Sequence, residues 1–203
     1  MTKLKLWKTH PVNQLPKKQT TGSACFDLMF QGHGKNTYKG FTRMNKPFER
    51  VMNNQIVIQP GDRVMVPTGL IMDIPEGYSV RLHARSGTSL KQGLVLANAE
   101  GVIDSDYVEE VFIILHNISG NAVTIENGDR IAHAELVSNI IYNVEETPAR
   151  PLPKTGRAGG FGSTGISTSH NMVVINIPET TQVKVEAPVK RGRGRPKGST
   201  KKK

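Results

Sequence analysis

From position 55 to 144 the chain is cut into short runs that alternate apolar and polar residues, each closed by residues that turn the backbone. The run 55–58 stops at Pro60-Gly61-Asp62, the run 63–74 at Pro75-Glu76-Gly77, and 78–84 alternates again. Runs 94–97, 111–117, 122–126 and 130–144 follow, with Ser119-Gly120-Asn121 and Asn127-Gly128-Asp129 as turns. A two-residue period with turn signals roughly every 8–12 residues buries one face of each strand and leaves little helical period. The pattern predicts an all-β sandwich or barrel. Only 88–92 reads as a helical turn, while 24–28 reads as a strand or bridge. Residues 31–54 mix Gly32, Gly34, Gly40 and Pro47 with lysines and aromatics, and are read as a long loop or insertion.

The 203 residues suffice for one sizeable core plus tails. Past Thr147 the chain turns Pro-, Gly- and Ser/Thr-rich, so the expected organisation is a barrel over 1–148, a Gly-rich arm over 149–165, a linker over 166–189 and a basic tail over 190–203. Cys25 is the single cysteine, which is read as excluding a disulfide framework and any cysteine-based zinc site and suits a reducing cytoplasm. No run approaches the ~20 apolar residues of a membrane span, so no membrane partner is expected. Net charge is +10, but Lys190, Arg191, Arg193, Arg195, Lys197, Lys201, Lys202 and Lys203 supply eight positive charges with no acid among them, leaving +2 on residues 1–189. The basicity belongs to the tail, which is expected to be disordered when free.

Three segments carry groups suited to an anionic ligand. In Gly101-Val102-Ile103-Asp104-Ser105-Asp106-Tyr107 a strand-like triplet leads into two carboxylates and an aromatic ring. A carboxylate at a strand end can orient and deprotonate a water, and a ring just after it can pack against a sugar or base. By itself the string reads first as an ordinary β-turn before a half-buried tyrosine. Arg85-Ser86-Gly87 offers a bidentate cation, a hydroxyl and a backbone N–H within three residues. Arg157 and the string Gly159-Gly160-Phe161-Gly162-Ser163-Thr164-Gly165 form a glycine-rich segment with an aromatic at its centre, suited to closing over a phosphate-bearing ligand.

Taken in order, these segments resemble the five motifs of the trimeric deoxyuridine triphosphatases (dUTPases). The first is Leu15-Pro16 through Ser23-Ala24-Cys25-Phe26-Asp27-Leu28, and the second Ala84-Arg85-Ser86-Gly87 with Lys91 and Gly93. The third is Asn98 with 101–107, the fourth Gly128-Asp129-Arg130-Ile131-Ala132, and the fifth 159–165. The resemblance implies a jelly-roll subunit in a homotrimer, active sites at subunit junctions, Mg²⁺ on the triphosphate, and hydrolysis of dUTP to dUMP and pyrophosphate. It implies that Asp104 holds the attacking water, that Tyr107 packs under the deoxyribose, and that Asn98 with the backbone of a 95–103 hairpin, including Gly101 and Ile103, reads the uracil edge. Arg85, Ser86, Gly87 and His133 would bind substrate oxygens, and Asp27 would orient the hydrated metal. Phe161 and Gly162 would cap the base while Arg157, Ser163 and Thr164 close on the phosphates. Phosphoryl chemistry needs positioning and charge neutralisation, with no covalent nucleophile, and Cys25 reads as a small core residue.

This chain departs from the family pattern at Cys25, usually glycine; at Val108-Glu109-Glu110; at His133, usually glutamine; at Arg157, one residue nearer the glycines; and in the length of 31–54. A dCTP deaminase of the same fold, with Glu100 as its acid/base, and a non-enzymatic DNA-associated regulator on this scaffold are the competing readings. In the tail, Arg191, Arg193, Gly194, Arg195, Pro196 and Lys197 resemble an AT-hook, a thin basic segment for the minor groove of A·T-rich DNA. Such an enzyme suits the cytoplasm of a microbe or a phage-infected host, or the nucleus in a eukaryotic setting.

Overall fold

The computed structural model describes residues 2–156. Residues 2–145 form one compact unit, and the described stretch 146–156 belongs to a second. Within the second unit the described stretch 146–156 forms no regular element and is exposed.

The first unit is nearly all β. A long strand, β6 (Arg63–Asp73), is the spine of the first sheet, pairing with β1 (Lys5–Lys8), β3 (Thr37–Phe41) and β10 (Glu110–Asn117). β4 (Pro47–Val51) extends the sheet beyond β3, and β8 (Leu94–Leu96) extends it beyond β10. A second sheet runs β2 (Phe26–Met29), β12 (Arg130–Ser138), β7 (Tyr78–Ala84) and β9 (Gly101–Ile103), and β5 (Gln55–Ile58) pairs with β11 (Val123–Glu126) in a ribbon. Period-two alternation sorts the faces: along β10, Val111, Ile113 and Leu115 are buried while Ile114 is partly exposed. These residues meet Leu28, Phe30, Val80, Leu82 and Ala134 from the second sheet in one core. The all-β architecture follows the sequence pattern, and its single helix, α1 (Ser86–Gln92), contains the expected helical turn.

Midway along β6 the ladder is interrupted at Pro67-Thr68-Gly69, because Pro67 has no N–H to donate. Side chains replace the missing rungs: Thr68 Oγ1 donates to the Val111 carbonyl at 2.7 Å, and Glu110 Oε1 accepts from the Gly69 N–H at 3.0 Å. Gly69 sits at φ +68, and a Cβ there would stand 2.1 Å from Asn13 Nδ2. Buried Asn13 donates to the Gly69 carbonyl, tying the N-terminal segment to the bulge.

Two expectations are corrected. Residues 31–54 are not a plain loop: β3 and β4 form an antiparallel hairpin in register from Thr37↔Val51 to Phe41↔Pro47. Its alternation was hidden because the inward positions are Tyr38, Gly40, Phe48 and Arg50, while Val51 faces out. Tyr38 donates to the Val57 carbonyl at 2.9 Å, and Arg50 lies 3.8 Å above the Phe48 ring while pairing with buried Asp62. Likewise the last strand ends at Ser138 rather than running to 144. Tyr78 pairs with Ser138 at the start of β7, the Asn139 N–H turns to the Gly77 carbonyl, and no partner strand remains, which leaves Ile140, Ile141, Tyr142 and Val144 exposed.

Candidate active site

The sequence-predicted groups gather in two places. The first lies where β7 passes into α1. Arg85 is extended at φ −83, ψ 129, after which Ser86 and Gly87 open the helix with exposed backbone. Gly93 ends the helix in the left-handed region, where a Cβ would press within 2.8 Å of Ser119. The Arg85 guanidinium donates to the Arg130 carbonyl at 2.7 Å, which aims it across the mouth of a cleft of about 190 Å³ lined also by Thr88, Gln92, Asp129 and Arg130.

Asp27 lies beneath this cluster, buried on β2. Its Oδ1 stands 3.3 Å from Arg85 Nε and 3.1 Å from His133 Nε2; its Oδ2 accepts from Arg130 Nη1 at 3.2 Å and Gln19 Nε2 at 3.1 Å. The strand register sets His133 directly opposite Asp27. Oδ2 accepts two hydrogen bonds, while the contacts of Oδ1 with Arg85 and His133 are close charge approaches rather than hydrogen bonds. Asp27 thus brings Arg85, Arg130 and His133 together beneath the cleft. Arg130 and Gln19 were not predicted as site residues, although the Gly128-Asp129-Arg130 string carried the signal for Arg130.

The second place is a cavity of about 240 Å³ lined by Asn98, Gly101, Ile103, Asp104 and Tyr107, with Leu82, Leu96 and Phe112 among its walls. Gly101 is buried against β7, where a Cβ would meet Leu82 Cδ1 at 2.8 Å. Tyr107 is fixed at both ends of the residue: its N–H bonds the Asp104 carbonyl at 3.2 Å, and its hydroxyl donates to the Glu110 carbonyl at 3.0 Å. The departure at Val108-Glu109-Glu110 thus carries a structural task, since Glu110 also pairs with Lys35 at 2.7 Å and caps the β6 bulge. Asp104 is exposed at the rim. The expected 95–103 hairpin is instead a crossing between sheets: β8 pairs with β10 while β9 pairs with β7. Core packing on both sheets draws the two short strands apart, and 97–100 bridges them. Glu100 does not line the cavity; it pairs with Arg81 at 3.3 Å.

The two places share no lining residue. The β7–β9 register pairs Val80 with Ile103, so Asp104 falls level with Ser79, six residues from Arg85. At the rise of a strand that is about 20 Å. Arg157, Phe161, Gly162, Ser163 and Thr164, together with the tail residues 191–197, lie outside the described residues.

Comparison with known proteins agrees with this geometry. The dUTPase family model matches residues 48–165. The deoxyuridine 5'-triphosphate nucleotidohydrolase of Brucella melitensis biotype 2 is 46% identical over 152 residues, covering 74% of this chain and 84% of that protein. Among solved structures, the dUTPase of Streptococcus mutans superposes with a TM-score of 0.53 at 26% identity, covering 70% of this chain and 98% of that one. A Staphylococcus bacteriophage 80alpha dUTPase variant with dUpNHpp superposes with a TM-score of 0.64 at 20% identity, covering 82% and 100%. With five motifs in order, a family match over residues 48–165 and relatives of this similarity, the chain belongs to the dUTPase family.

Proposed function

We propose that this protein hydrolyses dUTP to dUMP and pyrophosphate, in active sites that each combine the Asp104 cavity of one subunit with the Arg85 cleft of another. The observation that carries the shared site is the β7–β9 register, which puts the backbone at Asp104 about 20 Å along β7 from Arg85, a long reach for one nucleotide within a single chain. The exposed apolar run Ile140, Ile141, Tyr142 and Val144 supports assembly, since a patch of strand-forming residues without a partner is a surface for another copy. A homotrimer follows from the family.

In this reading the uracil enters the Asn98–Gly101–Ile103 cavity and the deoxyribose lies against the Tyr107 ring, which its hydroxyl anchor holds in place. Asp104, free at the rim, orients the water that attacks the α-phosphorus and accepts its proton. Arg85, the hydroxyl and N–H of Ser86, the N–H of Gly87 and the ring of His133 neutralise phosphate oxygens, so charge builds against donors already in place. Mg²⁺ on the triphosphate would bring further charge neutralisation, with Asp27 orienting its bound water. Arg157, Phe161, Gly162, Ser163 and Thr164 would close over the ligand. The position of Glu100 outside the cavity weighs against the deaminase reading. Tail residues Arg191, Arg193, Gly194, Arg195, Pro196 and Lys197 would tether the enzyme to A·T-rich DNA, in keeping with a cytoplasmic role beside replicating genomes.

Incubating pure protein with Mg²⁺ and each deoxynucleoside triphosphate tests the reaction. Pyrophosphate from dUTP alone is expected; ammonia from dCTP would establish the rival, and neither product would leave a non-enzymatic regulator.

A further inference from the structure

On the face of the second sheet turned away from the core, three side chains with metal-ligating atoms meet that the hydrolytic reading does not use. Cys25 precedes β2, His83 lies on β7 and Glu135 on the central strand β12; each is half-buried, and one ligand atom from each falls within 4.8 Å of the others. The register makes the meeting a property of the fold: Phe26 faces Ala134 and His83 faces His133, so Glu135 has Cys25 on one side and His83 on its diagonal.

We propose that Cys25, His83 and Glu135 form a binding site for a borderline-soft divalent cation of the zinc class, distinct from the magnesium nucleotide of the hydrolytic site. Bond lengths of about 2.0–2.3 Å define a ligand tetrahedron with edges of roughly 3.3–3.8 Å, and a three-residue set leaves a fourth position for water. His83 Nε2 and Glu135 Oε1 already stand 3.1 Å apart. The other ring nitrogen, His83 Nδ1, lies 3.8 Å from Glu100 Oε1, a second carboxylate close to the imidazole. A thiolate and an imidazole favour zinc over magnesium, which takes oxygen ligands.

The surrounding charge agrees with a cation. Burial, then the Glu135 carboxylate, pushes the Cys25 thiol above its ordinary range, opposed by Lys18, with Asp27 adding to the rise. A bound dication would reverse that balance and deprotonate the thiol. The exclusion of a cysteine-based zinc site read from the single cysteine covers sites built from several thiolates, and the proposed mixed set departs from it, because strand pairing assembles it with no linear spacing to read.

The test uses the full chain, freed of metal by chelation, with Co²⁺ as the probe. One equivalent per chain is expected to produce a thiolate-to-cobalt charge-transfer band, displaced by Zn²⁺, lost in C25S and shifted at least about 10-fold to weaker binding in E135Q and H83A. Absence of the band, or a band unchanged in C25S, overturns the site. A second measurement needs no variant: because Cys25 is the only cysteine, thiol alkylation reads it alone. Zn²⁺ is expected to slow that alkylation at least about 10-fold, with chelator restoring it; equal rates would overturn the proposal. Since none of the three residues belongs to the hydrolytic machinery, pyrophosphate release from dUTP separates loss of this site from loss of the fold.

Discussion

His133 places its Nε2 3.1 Å from Asp27 Oδ1, so the histidine that stands where the family usually has glutamine is held by the same buried carboxylate that holds Arg85 and Arg130. Asp27→Asn removes the one anion shared by these groups and leaves them uncompensated. We expect a loss of about 2–4 kcal/mol in stability, seen as a melting temperature lower by several degrees, and weaker dUTP binding.

Asp104→Asn keeps the shape of the rim but removes the base. Turnover should fall by about 10²–10⁴-fold while dUTP still binds, measured by single-turnover kinetics against equilibrium binding.

A shared site makes a stronger demand. Arg85→Ala and Asp104→Asn chains, each inactive alone, should regain activity when co-expressed, because roughly a quarter of the junctions in randomly mixed trimers receive both intact groups. No recovery in verified mixed trimers would place both groups in one subunit's site.

Tyr107→Phe keeps the ring and loses only the donation to the Glu110 carbonyl, so a change of about 0.5–1.5 kcal/mol in stability and modest kinetics are expected. Tyr107→Ala removes the surface beneath the sugar. The ratio of kcat/KM for dUTP over UTP should then drop by about 10-fold or more.

Gly69→Ala tests the β6 bulge. A side chain at φ +68 costs about 1–2 kcal/mol before contact with Asn13 is counted, so chemical denaturation should show a loss larger than that. An unchanged midpoint would mean that the bulge relaxes freely.

Deleting residues 190–203 should abolish binding to A·T-rich duplex and leave dUTP hydrolysis unchanged. Before deletion, that binding should weaken steeply with salt, as expected when several basic side chains replace counterions on phosphates. Loss of hydrolysis would assign the tail to the active site.

By itself the sequence determined the all-β class, the boundaries of most strands, and the identities of Asp104, Tyr107, Arg85 and Ser86 as the groups to watch. Those features are local: period-two alternation, turn residues and short motifs are written within a few positions of one another. Tertiary structure decided the rest. The 31–54 hairpin escaped a reading of hydrophobicity because Tyr38, Gly40 and Arg50 occupy its inward positions, and their burial depends on Val57, Arg63 and Asp62 from other strands. Asp27 looks like an open carboxylate until β12 brings His133 and Arg130 against it and β7 delivers Arg85. The separation of Asp104 from Arg85 is likewise set by the antiparallel register of β7 and β9, a relation between distant segments that no single stretch of chain contains.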